Sequence, residues 1–173
     1  MRIIAGSRKG HRIAAPKGFA TRPTGDRVRE AAFNLIGPVD GASVIDLYAG
    51  SGAMGLEALS RGAANAVFVE ADREGCRAIE RNLDKLRLTG ATVLCRDVLQ
   101  ALASERRKYD LVLLDPPYEM TDYSPLARYL PAVLAEDGLL VVESSARVHP
   151  ELPLHERTSR RYGSARLTLF EHA

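Results

Sequence analysis

From residue 43 onwards, short apolar runs alternate with longer segments of helical periodicity, and this alternation constrains the fold more than any other feature. The runs are rich in leucine and β-branched residues, which is typical of strands covered on both faces of a sheet. They lie at residues 44–47, 66–69, 92–94, 111–114 and 139–142. Strand–helix alternation of this kind predicts an α/β fold with a doubly wound parallel sheet.

Four helical segments separate these runs, and the end of the chain departs from the pattern. The predicted helices lie at residues 52–61, 73–88, 99–108 and 123–134. Near the end, two β-rich runs at residues 157–162 and 166–170 are separated only by Gly163 and Ser164. Two such runs joined by a two-residue turn predict a hairpin, and hence an antiparallel strand at one edge of the sheet.

The first 42 residues have a different character. Residues 3–13 are expected to form a small basic hairpin, followed by a linker with Pro and Gly at 16–23 and a helix at about 26–36. Asp26 or Thr24 can cap that helix, and Gly37-Pro38 ends it. We therefore predict two parts, an appendage at residues 1–42 and a cofactor-binding catalytic domain at residues 43–173.

The charge of the chain is unevenly distributed. The net charge is +2, yet residues 1–35 hold eight Lys or Arg against two acids, whereas the remainder holds 16 basic and 20 acidic residues. A basic end on an acidic body favours contact with nucleic acid or another polyanion, although a merely solvated surface is the alternative.

Cysteine use and hydropathy limit the location of the protein. Cys76 and Cys95 lack the spacing of a metal site, so we expect two free, buried thiols in a reducing cytoplasm. The start of the chain has no secretory signal pattern, and its apolar runs are too short to span a membrane. The 173 residues, 46% of them hydrophobic, suffice for a core without disulfides.

A glycine-rich segment follows the first predicted strand. Gly50, Gly52 and Gly55 stand in the spacing G-x-G-x-x-G, between a strand and a helix, as a nucleotide-binding loop requires. A cofactor approaches the backbone closely at such a turn, where a Cβ atom would block it. Gly50, Ser51, Gly52 and Gly55 are therefore predicted to bind the cofactor, and a tight turn without a ligand is the alternative.

Carboxylates after three strands indicate which cofactor this is. Glu70 ends the second strand, where it can accept both ribose hydroxyls of NAD or of S-adenosylmethionine. Asp46, four residues before Gly50, repels a pyrophosphate but attracts the ammonium group of S-adenosylmethionine. Asp97 follows the third strand and is expected to reach the adenine amine, to cap the next helix, or both.

The fourth strand runs directly into Asp115-Pro116-Pro117-Tyr118. Because the first and fourth strands flank the point where strand order reverses, Asp115 should face the glycine loop. Asp115 and the Pro116 carbonyl can each accept one N–H of an exocyclic amine, and Tyr118 can stack on a flat base. A rigid turn with a packed tyrosine is the structural alternative.

These residues resemble a known family. The tetrapeptide is similar to the [DNS]-P-P-[YFW] motif of amino-group methyltransferases that use S-adenosylmethionine. More closely, the chain resembles the RsmD family, bacterial guanine-N2 methyltransferases of small-subunit ribosomal RNA. The similarity covers essentially the whole length, in particular residues 2–6, 21–30, 46–62 and 115–118.

The resemblance implies a seven-stranded sheet of the class I methyltransferase type, with the N-terminal hairpin as an RNA-binding appendage. It also implies S-adenosylmethionine as cofactor and a partly assembled small ribosomal subunit as substrate. We expect a cytoplasmic monomer with no membrane association and no metal. In the predicted mechanism Asp115 and the Pro116 carbonyl hold a flipped guanine amine, and Asp115 takes its proton.

The basic residues have two interpretations. Phosphate contacts are predicted for the basic side chains Arg8, Lys9, Arg12, Arg22 and Arg29. Arg22 and Arg29 can instead support the wall of the active site, and some of the others can belong to a solvated face.

Three other functions fit parts of the sequence. An adenine-N6 methyltransferase acting on DNA or RNA shares the tetrapeptide. An NAD-dependent oxidoreductase shares the glycine loop but leaves Asp46 and Asp115 unexplained. A non-catalytic RNA-binding assembly factor would have no need to keep Asp46, Glu70 and Asp115 together.

Overall fold

The computed structural model describes residues 1–15 and 25–173. The predicted linker, the alternative cap Thr24 and the predicted RNA contact Arg22 lie outside the described residues. The strands are β1 (Ser43–Leu47), β2 (Asn65–Glu70), β3 (Ala91–Cys95), β4 (Tyr109–Leu114), β5 (Leu134–Ser145), β6 (His155–Tyr162) and β7 (Ala165–Glu171). The helices are α1 (Asp26–Ile36), α2 (Ala53–Ser60), α3 (Arg73–Leu86), α4 (Val98–Ser104), α5 (Ser124–Ala127) and α6 (Leu130–Val133).

The seven strands form one sheet in the order β3-β2-β1-β4-β5-β7-β6. The pairs among β1 to β5 are parallel, and β7 pairs antiparallel with both β5 and β6. This confirms the predicted doubly wound α/β sheet and its antiparallel end. Strand order reverses between β1 and β4, where Leu47 lies opposite Leu114, so the carboxyl ends of these two strands are neighbours.

Both faces of the sheet are covered. One face packs against α1, α2 and α3 in a cluster that includes Phe33, Leu56 and Ile79. The other face packs against α4, α5 and α6 in a cluster that includes Val98 and Leu126. Burial on both sides explains why β1 and β4 read as nearly continuous apolar runs.

Helix α1 has the predicted length but not the predicted cap. Gly25 occupies the N-cap position, and no side chain caps the helix there. Asp26 instead lies in the first turn and pairs with Arg29 at 2.9 Å, so its assignment as a cap is wrong. Gly37, with φ 82°, ends the helix, and its N–H donates to the Phe33 carbonyl, as predicted.

The single helix predicted at residues 123–134 is wrong. The segment forms two helices of four residues each, and Leu134 already belongs to β5. Pro125 and Pro131 lie in the first turns of α5 and α6, because proline lacks the N–H that an interior turn needs. Each proline therefore starts a new helix instead of continuing the one before it.

The expectation of two free, buried thiols is also wrong. Cys76 and Cys95 form a disulfide with a Cα–Cα distance of 5.9 Å, and Cys95 is exposed. The topology brings the two together, since Cys95 ends β3 opposite Glu70 of β2, and Cys76 lies in the first turn of α3 just after Glu70. Their separation of 19 residues in the sequence gives no sign of this proximity.

The described parts of residues 1–42 pack into the core of the sheet. Arg2 and Arg12 form an antiparallel bridge, which closes the predicted hairpin. Ile3 and Ile13 are buried in the same cluster as Phe33. The two parts of the predicted division at residue 42 thus share one hydrophobic core, and a separate function for each stays a prediction. Within the described ranges, no helix is long and apolar enough to cross a membrane.

Candidate active site

The glycine loop connects β1 to α2 at the point where strand order reverses. Gly50 and Gly52 have φ values of 59° and 83°, in the left-handed region that favours glycine. A Cβ on Gly50 would point into open space, which leaves room for a ligand above the loop. A Cβ on Gly52 would come within 3.2 Å of Ile79 and 3.3 Å of Phe68, so this glycine serves the packing beneath the loop.

Asp46 and Gly55 hold the two sides of the loop together. The Gly55 N–H donates to Asp46 Oδ2 at 2.9 Å, and a Cβ on Gly55 would collide with the ring of Phe68. Asp46 is 2% exposed. Burial raises the pKa of the Asp46 carboxyl to about 8, although the bond from Gly55 opposes the rise and the charge of Glu70 adds to it.

Glu70 is fixed at the end of β2, beside the loop. Its Oε1 accepts from the Gly50 N–H at 2.8 Å, and its Oε2 accepts from the Asp72 N–H at 2.8 Å. Gly75 makes room for it, because a Cβ there would lie 2.8 Å from Glu70 Cγ. The carboxylate is therefore oriented before any ligand arrives, and each oxygen keeps a lone pair for another donor.

Asp97 caps helix α4, which was one of its two predicted roles. Its Oδ2 accepts from the backbone N–H groups of Leu99 and Gln100 at 3.0 and 3.2 Å. The side chain is exposed at the carboxyl end of the sheet next to Glu70, so contact with an adenine amine remains a prediction.

Sequence analysis missed Asn82, which supports the loop from α3. Its side chain is 1% exposed and exchanges two hydrogen bonds of 3.0 Å with the backbone of Ala14. The same amide donates to the Ser51 carbonyl at 3.0 Å. Asn82 lies between Ile79 and Leu86 on the buried face of α3. A polar residue in that apolar stripe was the available signal.

The structure brings Asp115 close to the glycine loop. The Asp115 N–H donates to the Leu47 carbonyl at the end of β1, at 3.4 Å. A pocket beside Asp115 is also lined by Met54, which lies between Gly52 and Gly55, and by the buried Glu143 of β5. In the tetrapeptide, Pro116 is buried and Tyr118 half-buried, and the Pro117 carbonyl accepts from Met120 at 2.9 Å.

Two further tyrosines lie near Asp115, and sequence analysis missed both. Tyr48, directly after β1, has φ 58°, which is rare for a residue with a bulky side chain. Burial, and then the charges of Asp115 and Tyr48, raise the pKa of Tyr123 to about 12. Burial and the charge of Asp97 also raise the pKa of Tyr48.

The basic residues divide into buried and exposed groups. Arg29 is fully buried and pairs with Glu57 at 3.2 Å, so its prediction as a phosphate contact is wrong. Arg8 is half-buried, and its guanidinium donates to the carbonyls of Leu86 and Arg87 at the end of α3. Lys9 and Arg12 are exposed.

The acidic groups fit S-adenosylmethionine better than a dinucleotide. Asp46 lies near the end of β1, Glu70 ends β2 and Asp97 follows β3, on three adjacent strands, and Gly50, beside open space, is bonded to Glu70. A carboxylate row of this kind suits an ammonium group, a ribose diol and an adenine amine in turn. An ammonium group beside Asp46 would lower the pKa that burial raises, whereas a pyrophosphate would raise it further, and this argues against the NAD-dependent alternative.

This strand order and this loop are those of the class I methyltransferase fold, and solved structures of other proteins share that fold. "Putative methyltransferase yhhF" from Escherichia coli superposes with a TM-score of 0.87 at 33% identity, covering 100% of this chain and 99% of that one. A T. thermophilus 16S rRNA N2 G1207 methyltransferase, solved with AdoMet and guanosine, superposes with a TM-score of 0.72 at 21% identity. That match covers 91% of this chain and 45% of that one, and shows the fold alone.

The chain belongs to the family described as "Conserved hypothetical protein 95", whose model matches residues 1–171. "Ribosomal RNA small subunit methyltransferase D" of Escherichia coli K12 is 38% identical over 147 residues, covering 83% of this chain and 74% of the relative. "Putative rRNA methyltransferase YlbH" of Bacillus subtilis is 40% identical over 160 residues, covering 88% and 86%. The family predicted from the motifs is confirmed.

Proposed function

We propose that this chain transfers a methyl group from S-adenosylmethionine to the exocyclic N2 amine of a guanine in small-subunit ribosomal RNA. The observation that carries the proposal is the position of Asp115, the first residue of the tetrapeptide, at the end of β4 in one pocket with Met54 of the first turn of α2. Relatives named as small-subunit rRNA methyltransferases support the RNA substrate. The assignment of guanine N2 as the reacting atom is based on the family resemblance.

The cofactor is assigned to the carboxyl ends of β1, β2 and β3. Asp46, ionised by the bound cation, would face the ammonium group, Glu70 the ribose hydroxyls and Asp97 the adenine amine. Gly50 would allow close approach to the backbone, and Ser51, Gly52 and Gly55 would give the loop its shape around the cofactor. S-adenosylmethionine supplies an electrophilic methyl group on a sulfonium. Because Glu70 is already held by two backbone N–H groups, ribose binding would require little reorganisation.

The reacting amine is assigned to Asp115. An exocyclic amine of guanine is a poor nucleophile, since its lone pair is delocalised into the ring. Asp115 and the Pro116 carbonyl would accept its two N–H groups and hold the lone pair towards the methyl group, while Tyr118 stacks on the base. Asp115 then accepts the proton that the amine loses. The base has to leave its stack to enter the pocket.

The RNA is assigned to the exposed part of the N-terminal hairpin, with Lys9 and Arg12 as phosphate contacts. The tip of the hairpin docks at Ser60, the end of α2, where the Ser7 N–H donates to the Ser60 carbonyl at 2.8 Å. Helix α2 starts at the glycine loop and rises about 1.5 Å per residue, so the tip lies roughly 12 Å from the loop. RNA contacts would thus extend from the pocket along the side of the molecule. We further propose that the protein acts as a monomer, in the cytoplasm, on a partly assembled small ribosomal subunit.

Replacing Asp115 tests the reaction. Small subunits from a strain lacking the protein are incubated with tritiated S-adenosylmethionine, and the RNA is digested to nucleosides. We expect label in N2-methylguanosine with the wild type, none above background with Asp115→Ala, and equal cofactor affinity for both. Asp137→Ala, an exposed carboxylate on β5, is the control and should label normally.

Each other result changes the proposal in a defined way. Label in N6-methyladenosine would replace the substrate atom and leave the site assignment intact. Undiminished turnover by Asp115→Ala would refute the mechanism. No label on subunits, bare RNA or DNA, despite cofactor binding, would favour the assembly-factor alternative.

A further inference from the structure

Tyr123 lies close enough to Asp115, which lines the proposed substrate pocket, to feel its charge. It precedes α5, and its carbonyl accepts from the N–H groups of Leu126 and Ala127, both at 3.0 Å. Its side chain is 3% exposed and belongs to the cluster that contains Leu47 and Leu114, the last residues of β1 and β4. The ring is thus buried in the same cluster as the two strand ends that flank the switch point.

The hydroxyl of Tyr123 has no hydrogen-bond partner among the described residues. A buried hydroxyl without a partner is costly, and native structures keep few of them. The negative charge of Asp115 acts on this hydroxyl, yet the two groups are not hydrogen-bonded to each other. The raised pKa keeps Tyr123 protonated at neutral pH, so it can donate to an atom placed beside Asp115.

The backbone of Tyr48 is a second, independent sign of function at the same place. A tyrosine at φ 58° is held in a sparsely populated conformation, and such residues concentrate at ligand-binding sites. Tyr48 packs against the same cluster as Tyr123. Strain at the end of β1 and an unpartnered hydroxyl therefore occur together, next to the first residue of the tetrapeptide.

We propose that the Tyr123 hydroxyl donates a hydrogen bond to the ring nitrogen next to the reacting amine of the substrate base. The inference rests on the proposed function, and for guanine this acceptor is N3. Asp115 would accept from the amine while Tyr123 donates to the neighbouring ring atom. A contact to the ring atom beside the amine restrains the rotation of the base in its own plane more firmly than stacking and contacts to the amine alone.

Removing only the hydroxyl tests this role. We expect Tyr123→Phe to lower kcat/KM for methylation of small subunits about 10- to 100-fold, with unchanged affinity for S-adenosylmethionine. Its midpoint of thermal unfolding should equal or exceed that of the wild type, because the substitution removes a buried hydroxyl without a partner. Tyr129→Phe is the matched control, since Tyr129 packs against the same cluster beyond α5, and it should methylate normally.

A substrate analogue identifies the partner atom. Once the labelled nucleotide is known, subunits are reconstituted with 3-deazaguanine, which lacks N3, at that position. The wild type should lose as much rate on this substrate as Tyr123→Phe loses on guanine, and Tyr123→Phe should lose nothing further. A further loss in the combination would overturn the assignment to N3.

The remaining outcomes separate this inference from the proposed function. Normal methylation by Tyr123→Phe, or a loss explained by weaker cofactor binding or a lower unfolding midpoint, would overturn the inference alone. A wild-type protein that labels no guanine N2 would overturn the proposed function, and the assignment to N3 with it.

Discussion

The N-terminal basic segment and the acidic ends of the strands use charge in opposite ways. In the N-terminal segment, Arg29 is buried against Glu57, and Arg8 is bonded to carbonyls at the end of α3. At the strand ends, Glu70 and Asp97 accept hydrogen bonds from backbone N–H groups, Glu70 beside the open space at Gly50 and Asp97 at the exposed surface. These two N-terminal arginines connect elements of the fold, whereas the acidic side chains at the strand ends are placed where a ligand can reach them.

The comparison shows that the type of a residue predicts its role only where the fold fixes its direction. A residue at the carboxyl end of a parallel strand lies at the ligand-binding edge of the sheet, whatever else it does. A residue in a hairpin or an amphipathic helix can face either way. Glu57 illustrates this, because it accepts from the backbone of Ile4 and Ala5 as well as from Arg29 and Arg61.

Replacing Arg29 tests the structural role of the buried N-terminal charge, and we expect it to have the largest effect on the free energy of unfolding. Arg29→Met removes one partner of a buried ion pair and leaves the Glu57 carboxylate undercompensated. We expect the free energy of unfolding to fall by about 3–5 kcal/mol. Urea denaturation measures it, with the exposed Arg27→Met of the same helix as control, for which the change should stay within about 0.5 kcal/mol.

A small loss with Arg29→Met, accompanied by weaker RNA binding in the folded variant, would reverse the assignment. Arg29 would then act on RNA as first predicted, and Glu57 would have to be satisfied by Arg61 and the hairpin backbone alone.

Asp46 provides a test on the acidic side, because it is the most deeply buried carboxyl of the three at the strand ends. With a pKa of about 8 in the folded state against an ordinary 3.8, it keeps a proton that the unfolded chain loses. Its contribution to stability therefore falls as pH rises between about 4 and 8. The free energy of unfolding of the wild type should fall relative to that of Asp46→Asn by up to about 1.4 kcal/mol per pH unit.

Urea denaturation of both variants at pH 5, 6, 7 and 8 measures this difference. Asp137→Asn, which alters an exposed carboxylate, should follow the wild type throughout. Parallel profiles for the wild type and Asp46→Asn would show that Asp46 is ionised in the folded protein at neutral pH.

The same distinction explains what could be predicted from the sequence. The sheet, its switch point and the positions of Asp46, Glu70, Asp97 and Asp115 follow from apolar runs and the residues that end them. Asn82 was missed because it joins two segments distant in sequence, Ala14 and Ser51. Such contacts depend on which helix face packs against which loop, and a single sequence does not record that.

The errors have local causes of the same kind. The disulfide required knowing that α3 begins close to the end of β3, although Cys76 lies in a predicted helix and Cys95 directly follows a predicted strand. The helix at residues 123–134 was overpredicted, because its apolar periodicity outweighed the two prolines that divide it. Tyr123 is the first residue of that predicted helix, and a helical prediction gives no sign that it lies near Asp115.

Replacing two exposed basic residues of the hairpin is expected to have the smallest effect on the fold, and it tests a part of the N-terminal segment that presents charge. Lys9 and Arg12 are exposed, and their replacement by alanine should change the free energy of unfolding by less than about 0.5 kcal/mol. If both contact phosphates, the slope of log affinity for ribosomal RNA against log salt should become shallower by up to about 1.8 for duplex contacts or about 1.4 for single-stranded ones.

The matched control replaces Arg160 and Arg161, two exposed arginines on β6 at the opposite edge of the sheet, and should keep the wild-type slope. Arg8→Ala should do the reverse of the double variant, lowering stability through lost bonds at the end of α3 and leaving the slope nearly unchanged. If the double variant and the β6 control lose affinity equally, binding depends on net charge and the hairpin has no privileged role. Only the acidic side chains at the strand ends would then present their charge to a specific ligand.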